Sequence, residues 1–232
     1  MIYKNYYWFF EKAISKAVCN KIIKHGEAKQ LNIASIEDIG VDKKVTKKEK
    51  AYIEKSRKSQ VRFMNDKWLY DIFTPYINTA NKNAGWNYDL TWSESFQYTV
   101  YKKSNFYHWH QDTFPLPFKS SDPNFNGKTR KVSLICNLTD PKKFTGGELE
   151  FDITNLRSRE TSILICKEAT QQGTVIIFPS YIFHRVKPVT SGIRKSLVNW
   201  NIGDPWRYNQ YNIVGDLFYT KVNCLPKTQK KY

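Results

Sequence analysis

Apolar side chains recur at three- and four-residue intervals early in the chain, which is the spacing of an amphipathic helix. Val18 and Ile22 share one such stripe. Ser15 precedes the stripe as a candidate N-cap, and Gly26 follows it as a stop signal. The pattern therefore predicts a helix between Ser15 and Gly26, after an aromatic, strand-like opening over residues 2–14.

A second stripe with helical spacing is formed by Leu69, Ile72, Tyr76 and Ala80. Asp66 stands at its start, and Asn83 with Gly85 marks its end. Pro75 lies inside the stripe and has no backbone N–H to donate to the preceding turn. We therefore expect a break there, with Thr74 capping a new helical segment that begins at the proline.

From Trp92 onward the hydrophobic period changes to two, which predicts β-strands. Phe96, Tyr98 and Val100 alternate with polar residues, and similar segments lie at 131–138, 148–153, 161–167, 174–178, 181–187 and 194–202. Turn-forming pairs separate them, including Asp140-Pro141, Gly146-Gly147, Gln172-Gly173 and Ser191-Gly192. Helices followed by seven or eight strands predict an α+β, mainly β, fold with an antiparallel double sheet.

Length and composition are those of a globular chain. Its 232 residues are 41% hydrophobic, enough for one large domain with a real core. No run of 18 apolar residues exists, and the N-terminus lacks a basic region followed by an apolar stretch, so a cytoplasmic location is expected. The four cysteines form no C-x-x-C pair, which favours reduced, buried thiols.

The chain is strongly basic, with 37 Lys and Arg against 21 Asp and Glu and a net charge of +16. Such a charge is typical of nucleic-acid binders, but it also describes a lysine-rich solvated surface. No Lys/Arg cluster alternates with stacking aromatics, so we favour the solvated surface without excluding nucleic acid. The most polar stretch, residues 40–60, carries five lysines between 43 and 50 and is expected to be a mobile loop or an exposed helix.

Three polar side chains stand out as candidate metal ligands. On an extended strand, residues two apart share a face, so His110 and Asp112 are expected to converge, with His108 on the same side. His184 lies in a later strand pattern. Two imidazoles and one carboxylate make a facial triad that suits Fe(II) and leaves three coordination positions open. Alone, the His-x-Asp pair is equally consistent with a hydrogen-bonded polar pair in a strand.

Arg194 strengthens this interpretation. It begins a strand whose neighbours are apolar, after the turn at Gly192, and Ser196 two residues later faces the same side. An arginine inside a barrel offers a planar, two-point donor that suits a carboxylate.

The combination of His110-x-Asp112, His184 and Arg194-x-Ser196 resembles the iron(II)- and 2-oxoglutarate-dependent oxygenases. The closer likeness is to their prolyl 4-hydroxylase branch, which includes small bacterial and phage proteins described as PKHD-type hydroxylases. The resemblance extends from about residue 98 to residue 200, and more weakly through the N-terminal helical part. The family's fold, a double-stranded β-helix or jelly roll with packing helices, agrees with the pattern. The resemblance implies one domain over residues 1–232. Its parts would be a mostly helical support region (1–90), a catalytic core (91–205) and a C-terminal extension (206–232).

The resemblance also assigns roles to residues. It implies that the iron ligands are His110, Asp112 and His184. Arg194 would bind the distal carboxylate of 2-oxoglutarate, and the residues implied to assist at the co-substrate site are Tyr101, Ser196, Tyr107 and Trp200. The segment from Phe144 to Leu149 is similar to the family's turn between strands. Some prolyl 4-hydroxylases carry lysine at the anchor position, where this chain has arginine, as other members do.

By this resemblance the chain would hydroxylate a prolyl residue of a peptide or protein, using Fe(II), 2-oxoglutarate and O2, with ascorbate as an optional reductant. A lysyl residue, a free amino acid or a nucleobase stays open as the substrate, as does a non-catalytic jelly-roll module. No membrane partner is expected. The location would be the host cytoplasm if a phage encodes the chain. Residues 40–60 and 113–130 are candidate lids.

Other site types fit less well. A cupin site would need a Glu soon after His108-x-His110, and the following residues supply none. Nucleic-acid dealkylases carry a second arginine where this chain has Trp200, and halogenases lack the carboxylate that Asp112 supplies. No G-x-S-x-G motif supports a hydrolase. His25, at a helix C-terminus, is assigned no function.

Overall fold

The computed structural model describes residues 5–32, 55–154 and 162–206. Within them, helix α1 spans Lys16–Glu27 and helix α2 spans Lys67–Asn83, with short 3-10 turns at Pro141–Lys143 and Lys167–Thr170. The strands, in chain order, are β1 Trp8–Phe10, β2 Arg57–Lys58, β3 Gln60–Met64, β4 Trp92–Ser93, β5 Phe96–Tyr101, β6 Phe106–His110, β7 Thr129–Asn137, β8 Phe144–Gly146, β9 Leu149–Asp152, β10 Ile163–Ile165, β11 Val175–Pro179, β12 Phe183–Val186, β13 Val189–Gly192 and β14 Arg194–Gly203.

Two antiparallel sheets make up most of the described structure. The seven-stranded sheet has the order β1-β11-β7-β14-β5-β3, with β4 also paired to β14, and the five-stranded sheet has the order β10-β9-β12-β6-β2. Their inner faces meet where Phe178 of β11 packs against Phe151 of β9 and His184 of β12, with ring centroids 5.0 and 4.7 Å apart. The predicted mainly β jelly roll with N-terminal helices is confirmed.

Helix α1 forms where its hydrophobic stripe predicts it, and the side chain of Ser15 caps it by accepting the backbone N–H of Val18 at 3.3 Å. Gly26 does not end the helix, which continues to Glu27. A Cβ on Gly26 would lie 2.6 Å from Cγ of Tyr98, so this glycine lets the helix approach β5 closely. Gly26 is therefore explained by close packing against Tyr98, and it does not mark the end of the helix.

The predicted break at Pro75 is wrong, because α2 continues through the proline as one helix. The buried residues of the helix lie on both sides of it, at Leu69, Phe73, Ile77 and Ala80, while Pro75 itself is exposed. A proline inside a helix costs about 3 kcal/mol. Burial of the three large side chains Leu69, Phe73 and Ile77, at about 1.5–3 kcal/mol each, outweighs that cost.

Strand β5 is buried along its whole length, although its sequence alternates between apolar and polar residues. Tyr98 and Phe96 face the helices, where the ring of Phe96 packs against Phe73 of α2. Gln97 and Thr99 point to the opposite side and hydrogen-bond to each other at 2.9 Å. The polar positions therefore line the interior between the sheets instead of facing solvent.

The chain passes between the two sheets at one edge. Strand β2, at the end of the five-stranded sheet, and strand β3, at the end of the seven-stranded sheet, are separated by the single residue Ser59. The expected loop or exposed helix over residues 40–60 is therefore wrong for its last residues, since Arg57 is buried in β2. Charge alone suggested exposure, but this guanidinium stacks on Tyr107, 4.5 Å from the ring centroid. The five lysines between 43 and 50 lie outside the described residues.

The remaining expectations concern the cysteines, membrane-spanning helices and the division of the chain at residue 90. Cys19, Cys136 and Cys166 are buried free thiols, as predicted, while Cys224 lies outside the described residues. Neither helix in the described part of the chain has the length and apolar character needed to cross a membrane. The division at residue 90 stays a prediction, although three strands that precede residue 90 pair with the sheets.

Replacing Phe73 with alanine tests the contact between α2 and the seven-stranded sheet. Phe73 is fully buried, and the cavity left behind should lower the free energy of unfolding by about 3–5 kcal/mol in urea titrations. Phe63→Ala is the matched control, since Phe63 on β3 is 45% exposed and its loss should cost about 0.5 kcal/mol or less. Equal losses for the two variants would contradict this assignment of the core.

Candidate metal centre

Two histidines face each other across neighbouring strands. His110 ends β6, and the antiparallel register places it directly opposite His184 of β12. Their ring centroids are 4.1 Å apart. Asp112 follows two residues after His110, and its backbone N–H donates to the carbonyl of Ser180 at 2.9 Å. The strand pairing therefore brings all three predicted ligand residues together.

The possible ligand atoms of His110, Asp112 and His184 lie within 4.8 Å of one another. Nε2 of His110 is 3.6 Å from Oδ1 of Asp112, and Nε2 of His184 is 3.5 Å from Oδ2. These distances are too long for hydrogen bonds. They are close to the separation of about 3 Å between adjacent ligands that each lie about 2.1 Å from one metal ion.

The backbone fixes which ring nitrogen each histidine presents. Nδ1 of His110 lies 2.7 Å from the carbonyl of His108, and Nδ1 of His184 lies 2.9 Å from the carbonyl of Ile182. A carbonyl only accepts hydrogen bonds, so each Nδ1 carries the proton. Nε2 is therefore the ring nitrogen that each histidine presents to the cluster, as in metal-binding histidines whose other nitrogen is held by a carbonyl.

Burial and mutual charge shape the protonation of the cluster. Burial, and then the neighbouring His184, lower the pKa of His110 well below its usual value. Burial alone would raise the pKa of Asp112, but the two imidazoles, the Ser133 hydroxyl and Arg130 outweigh it and lower that pKa. The cluster thus combines a neutral His110 with an ionised carboxylate.

A β-bulge in β6 decides which aromatic residue supports His110. Val186 of β12 pairs with Tyr107, three residues before His110, so β6 holds one extra residue between these pairs. The ring of Tyr107 therefore stacks on that of His110, with centroids 3.5 Å apart and planes at 14°. The expectation that His108 faces the same side is wrong, because its exposed ring packs against Phe106 instead.

Arg194 is a buried cation, 2% exposed, at the start of β14. It pairs in register with Tyr101 of β5, whose ring centroid lies 5.5 Å from the guanidinium carbon. Nη1 approaches the hydroxyl of Ser196 at 3.5 Å, whereas the buried Nη2 has no hydrogen-bond acceptor among the described residues. A Cβ on Gly147 would lie 3.0 Å from Cδ of Arg194, so the predicted turn packs tightly against this side chain.

Trp200 lies on the same face of β14 as Arg194 and Ser196, because residues two apart in a strand share a face. It pairs with Ser133 of β7, whose hydroxyl donates to Asp112. The ring of Trp200 is buried, and its Nε1 has no hydrogen-bond partner within the described ranges. The inner face of β14 therefore extends from Arg194 to the cluster of predicted ligand residues.

The strands that carry these residues match a known family in sequence. The family model described as the 2OG-Fe(II) oxygenase superfamily matches residues 96–201. These residues form a domain of that superfamily. All eight residues predicted for its site (Tyr101, Tyr107, His110, Asp112, His184, Arg194, Ser196 and Trp200) lie inside the matched segment.

Relatives of the oxygenase domain are named as hydroxylases. A PKHD-type hydroxylase of Colwellia psychrerythraea is 36% identical over 86 residues, which make up 37% of this chain and 35% of that protein. A second, from Idiomarina loihiensis, is 30% identical over 101 residues, or 43% of this chain and 38% of that protein. The chain thus spans about a third of the length of these curated relatives.

Solved prolyl hydroxylases share the fold. A prolyl hydroxylase from Trichoplax adhaerens, in complex with a peptide fragment of the hypoxia inducible factor oxygen degradation domain, has a TM-score of 0.60 at 15% identity, over 85% of this chain and 84% of that one. The viral collagen prolyl hydroxylase of Paramecium Bursaria Chlorella virus-1, in complex with 2OG, has a TM-score of 0.55 at 19% identity, over 87% of this chain and 98% of that one. At these identities the likeness is one of fold.

The oxygenase domain contains a buried ion pair that the sequence did not indicate. Arg130 binds Glu94 through Nε and Nη2, at 2.6 and 2.7 Å, and its Nη1 lies 3.3 Å from the backbone carbonyl of Asp112. Its guanidinium also lies over the ring of Trp200, at 4.1 Å. A register shift at Lys131, the extra residue in β7, turns Arg130 toward the interior. Only the low frequency of arginine inside strands could have suggested it.

Binding of Co(II) should stabilise the oxygenase domain through the cluster. At about 100 times its dissociation constant a ligand adds about 2.7 kcal/mol, which corresponds to a rise in Tm of about 5–10 °C. Differential scanning fluorimetry should show this rise for the wild-type protein and none for Asp112→Asn. Asp71→Asn, which removes an exposed carboxylate on α2, is the control and should keep it. An undiminished rise in Asp112→Asn would contradict the cluster as the site.

Proposed function

We propose that this chain is an Fe(II)- and 2-oxoglutarate-dependent hydroxylase that acts on prolyl residues of a peptide or protein. The observation that carries the proposal is the convergence of His110, Asp112 and His184 in one interior with the buried, unsatisfied guanidinium of Arg194. The three side chains can bind a metal cation, and Arg194 can bind an anion. A metal ion and a dicarboxylic acid that bind together would need both. The membership of residues 96–201 in the oxygenase superfamily supports the same reaction.

The donor set fits Fe(II). Two imidazole nitrogens and one carboxylate oxygen make the facial triad of non-haem iron oxygenases, and three positions stay open for co-substrate and O2. Fe(II) held there would supply the activation of O2 that couples oxidative decarboxylation of 2-oxoglutarate to hydroxylation. The protein's contribution is to hold the two Nε2 lone pairs and the Asp112 carboxylate in place through backbone and hydroxyl hydrogen bonds.

Arg194 fits the distal carboxylate of 2-oxoglutarate. A guanidinium buried in the barrel without an acceptor for Nη2 is costly unless an anion binds it. Its planar fork can hold a carboxylate by two parallel hydrogen bonds, and the hydroxyls of Ser196 and Tyr101 are placed to add further ones. We assign Tyr101 and Ser196 to co-substrate binding on this basis.

Tyr107 and Trp200 form aromatic walls of the proposed site. Tyr107 stacks directly on His110, and burial raises the pKa of its phenol to about 12, so the hydroxyl stays protonated and can donate. The buried Nε1–H of Trp200 has no hydrogen-bond partner among the described residues. Trp200 pairs with Ser133 of β7, whose hydroxyl donates to Asp112. Both side chains are placed to contact a bound co-substrate or substrate and to exclude water.

The segment 113–130 supplies an apolar surface next to Asp112 that suits a prolyl ring. Its rings of Phe114, Phe118 and Phe125 pack edge to face at 5.5 and 5.7 Å, and Arg130 lies over the first two. An aliphatic ring in a peptide backbone needs such aromatic contacts with few polar groups. The prolyl hydroxylase names of the structural neighbours, one of them bound to a peptide, support a peptide or protein as the substrate.

Replacing Arg194 with methionine should abolish productive 2-oxoglutarate binding. Loss of one partner of a buried charge pair costs about 3–5 kcal/mol, so the apparent affinity for 2-oxoglutarate should fall by at least about 100-fold in succinate-release assays with Fe(II) and ascorbate. Lys67→Met, which removes an exposed cation on α2, is the control and should retain activity. Asp112→Ala sets the background. Wild-type succinate release no higher than this background would favour a non-catalytic module.

The prolyl assignment is tested by mass spectrometry of proline-containing peptides and host proteins after turnover. The product should gain the mass of one oxygen atom on proline, and peptides with alanine at that position should stay unmodified. Omission of 2-oxoglutarate is the control for chemical oxidation. An oxygen atom found on lysine, on a free amino acid or on a nucleobase would overturn the prolyl assignment while leaving the reaction type intact.

A further inference from the structure

The Asp112 carboxylate has both of its oxygens turned toward the histidines. Oδ1 lies 3.6 Å from Nε2 of His110, and Oδ2 lies 3.5 Å from Nε2 of His184. A carboxylate can bind a metal through one oxygen or through both. The two-oxygen mode would take one of the three coordination positions that a facial triad leaves open. The hydrogen bonds that the two oxygens accept therefore decide which binding mode the carboxylate adopts.

Ser133 occupies one of these oxygens. Its hydroxyl, fully buried on the inner face of β7, donates to Oδ2 of Asp112 at 2.6 Å. Hydrogen bonds from a hydroxyl to an ionised carboxylate are short and about twice as strong as neutral ones. This bond uses the side of Oδ2 that faces β7, whereas no described residue donates a hydrogen bond to Oδ1.

Ser180 completes a chain of hydroxyls. Its Oγ lies 2.9 Å from Oγ of Ser133, which has already given its single proton to Asp112, so Ser180 must be the donor in this contact. Consecutive hydroxyls polarise one another and strengthen the bond to the carboxylate. The backbone carbonyl of Ser180 also accepts the N–H groups of Asp112 and Thr113, at 2.9 and 3.1 Å. One residue thereby fixes both the backbone and the side chain of the ligand.

We propose that Ser133, supported by Ser180, holds Asp112 as a one-oxygen ligand and so keeps three metal positions open. Ser133 is a positioning residue, since it acts through Asp112. The inference rests on the proposed function and deepens it, because a chelating keto acid and O2 together need all three positions. Without the Ser133 hydroxyl, Oδ2 is free to turn to the metal and close one of them.

The test counts open positions with Mn(II) as the probe. Water-proton relaxation enhancement per bound Mn(II) should fall by about one third in Ser133→Ala, as three exchangeable waters become two. Affinity of the Mn(II)-loaded protein for 2-oxoglutarate should fall about 10-fold without oxygen. Ser133→Thr keeps the hydroxyl and should behave as wild type, and Ser180→Ala should show a smaller loss. Thr129→Val is the matched control, because it breaks a buried hydroxyl pair with Thr113 that does not touch the carboxylate.

The outcomes separate this inference from the proposed function. Unchanged relaxation and 2-oxoglutarate affinity in Ser133→Ala would overturn the inference alone. Weaker Mn(II) binding with an unchanged relaxation per bound ion would also overturn it, since Ser133 would then only support the fold. Equal losses in Thr129→Val would point to a general packing effect and would count against it. If the wild-type protein binds no Mn(II), the metal site and the inference fall together.

Discussion

Antiparallel pairing between β6 and β12 is the contact on which the site depends. It sets His110 opposite His184, and the turn that precedes β12 supplies the Ser180 carbonyl for the backbone of Asp112. A shift of this pairing by one residue would turn His184 to the outer face of the sheet and separate it from the other two predicted ligand residues. The buried aromatic contacts of His184 with Phe178 oppose such a shift. The geometry of the cluster is therefore fixed by strand register.

Much of this arrangement could be predicted from the chain alone. The period-two pattern gives the strands, and the spacing of His110 and Asp112 correctly predicts that they come together, although β6 ends at His110 and Asp112 lies just beyond it. Arg194 could be recognised because a cation among core residues needs an anionic partner. What made His184 a candidate was the scarcity of histidine, since nothing local in its strand indicates a metal ligand.

The rest depended on long-range contacts that no local pattern encodes. Bulges in β6 and β7 each add one residue, which places Tyr107 under His110 and turns Arg130 inward against the simple alternation. The helix through Pro75 persists because tertiary burial outweighs a local preference. Arg57 looked like part of a solvated lysine-rich segment, and only its stacking on Tyr107 shows otherwise. These residues differ from expectation where packing across the sheets competes with propensity.

The one-residue link at Ser59 constrains how the interior can change its width. Consecutive Cα atoms are 3.8 Å apart, so the ends of β2 and β3 that flank Ser59 are held within about 7.6 Å, closer than the spacing of about 10 Å usual for stacked sheets. The barrel is therefore closed along this edge by a covalent tether that cannot stretch. Any change in the distance between the two layers is therefore expected to be largest at the opposite margin, where β1 and β10 end their sheets. The separation of the two sheets is thus expected to vary least beside Arg57, which lies in β2 next to the link.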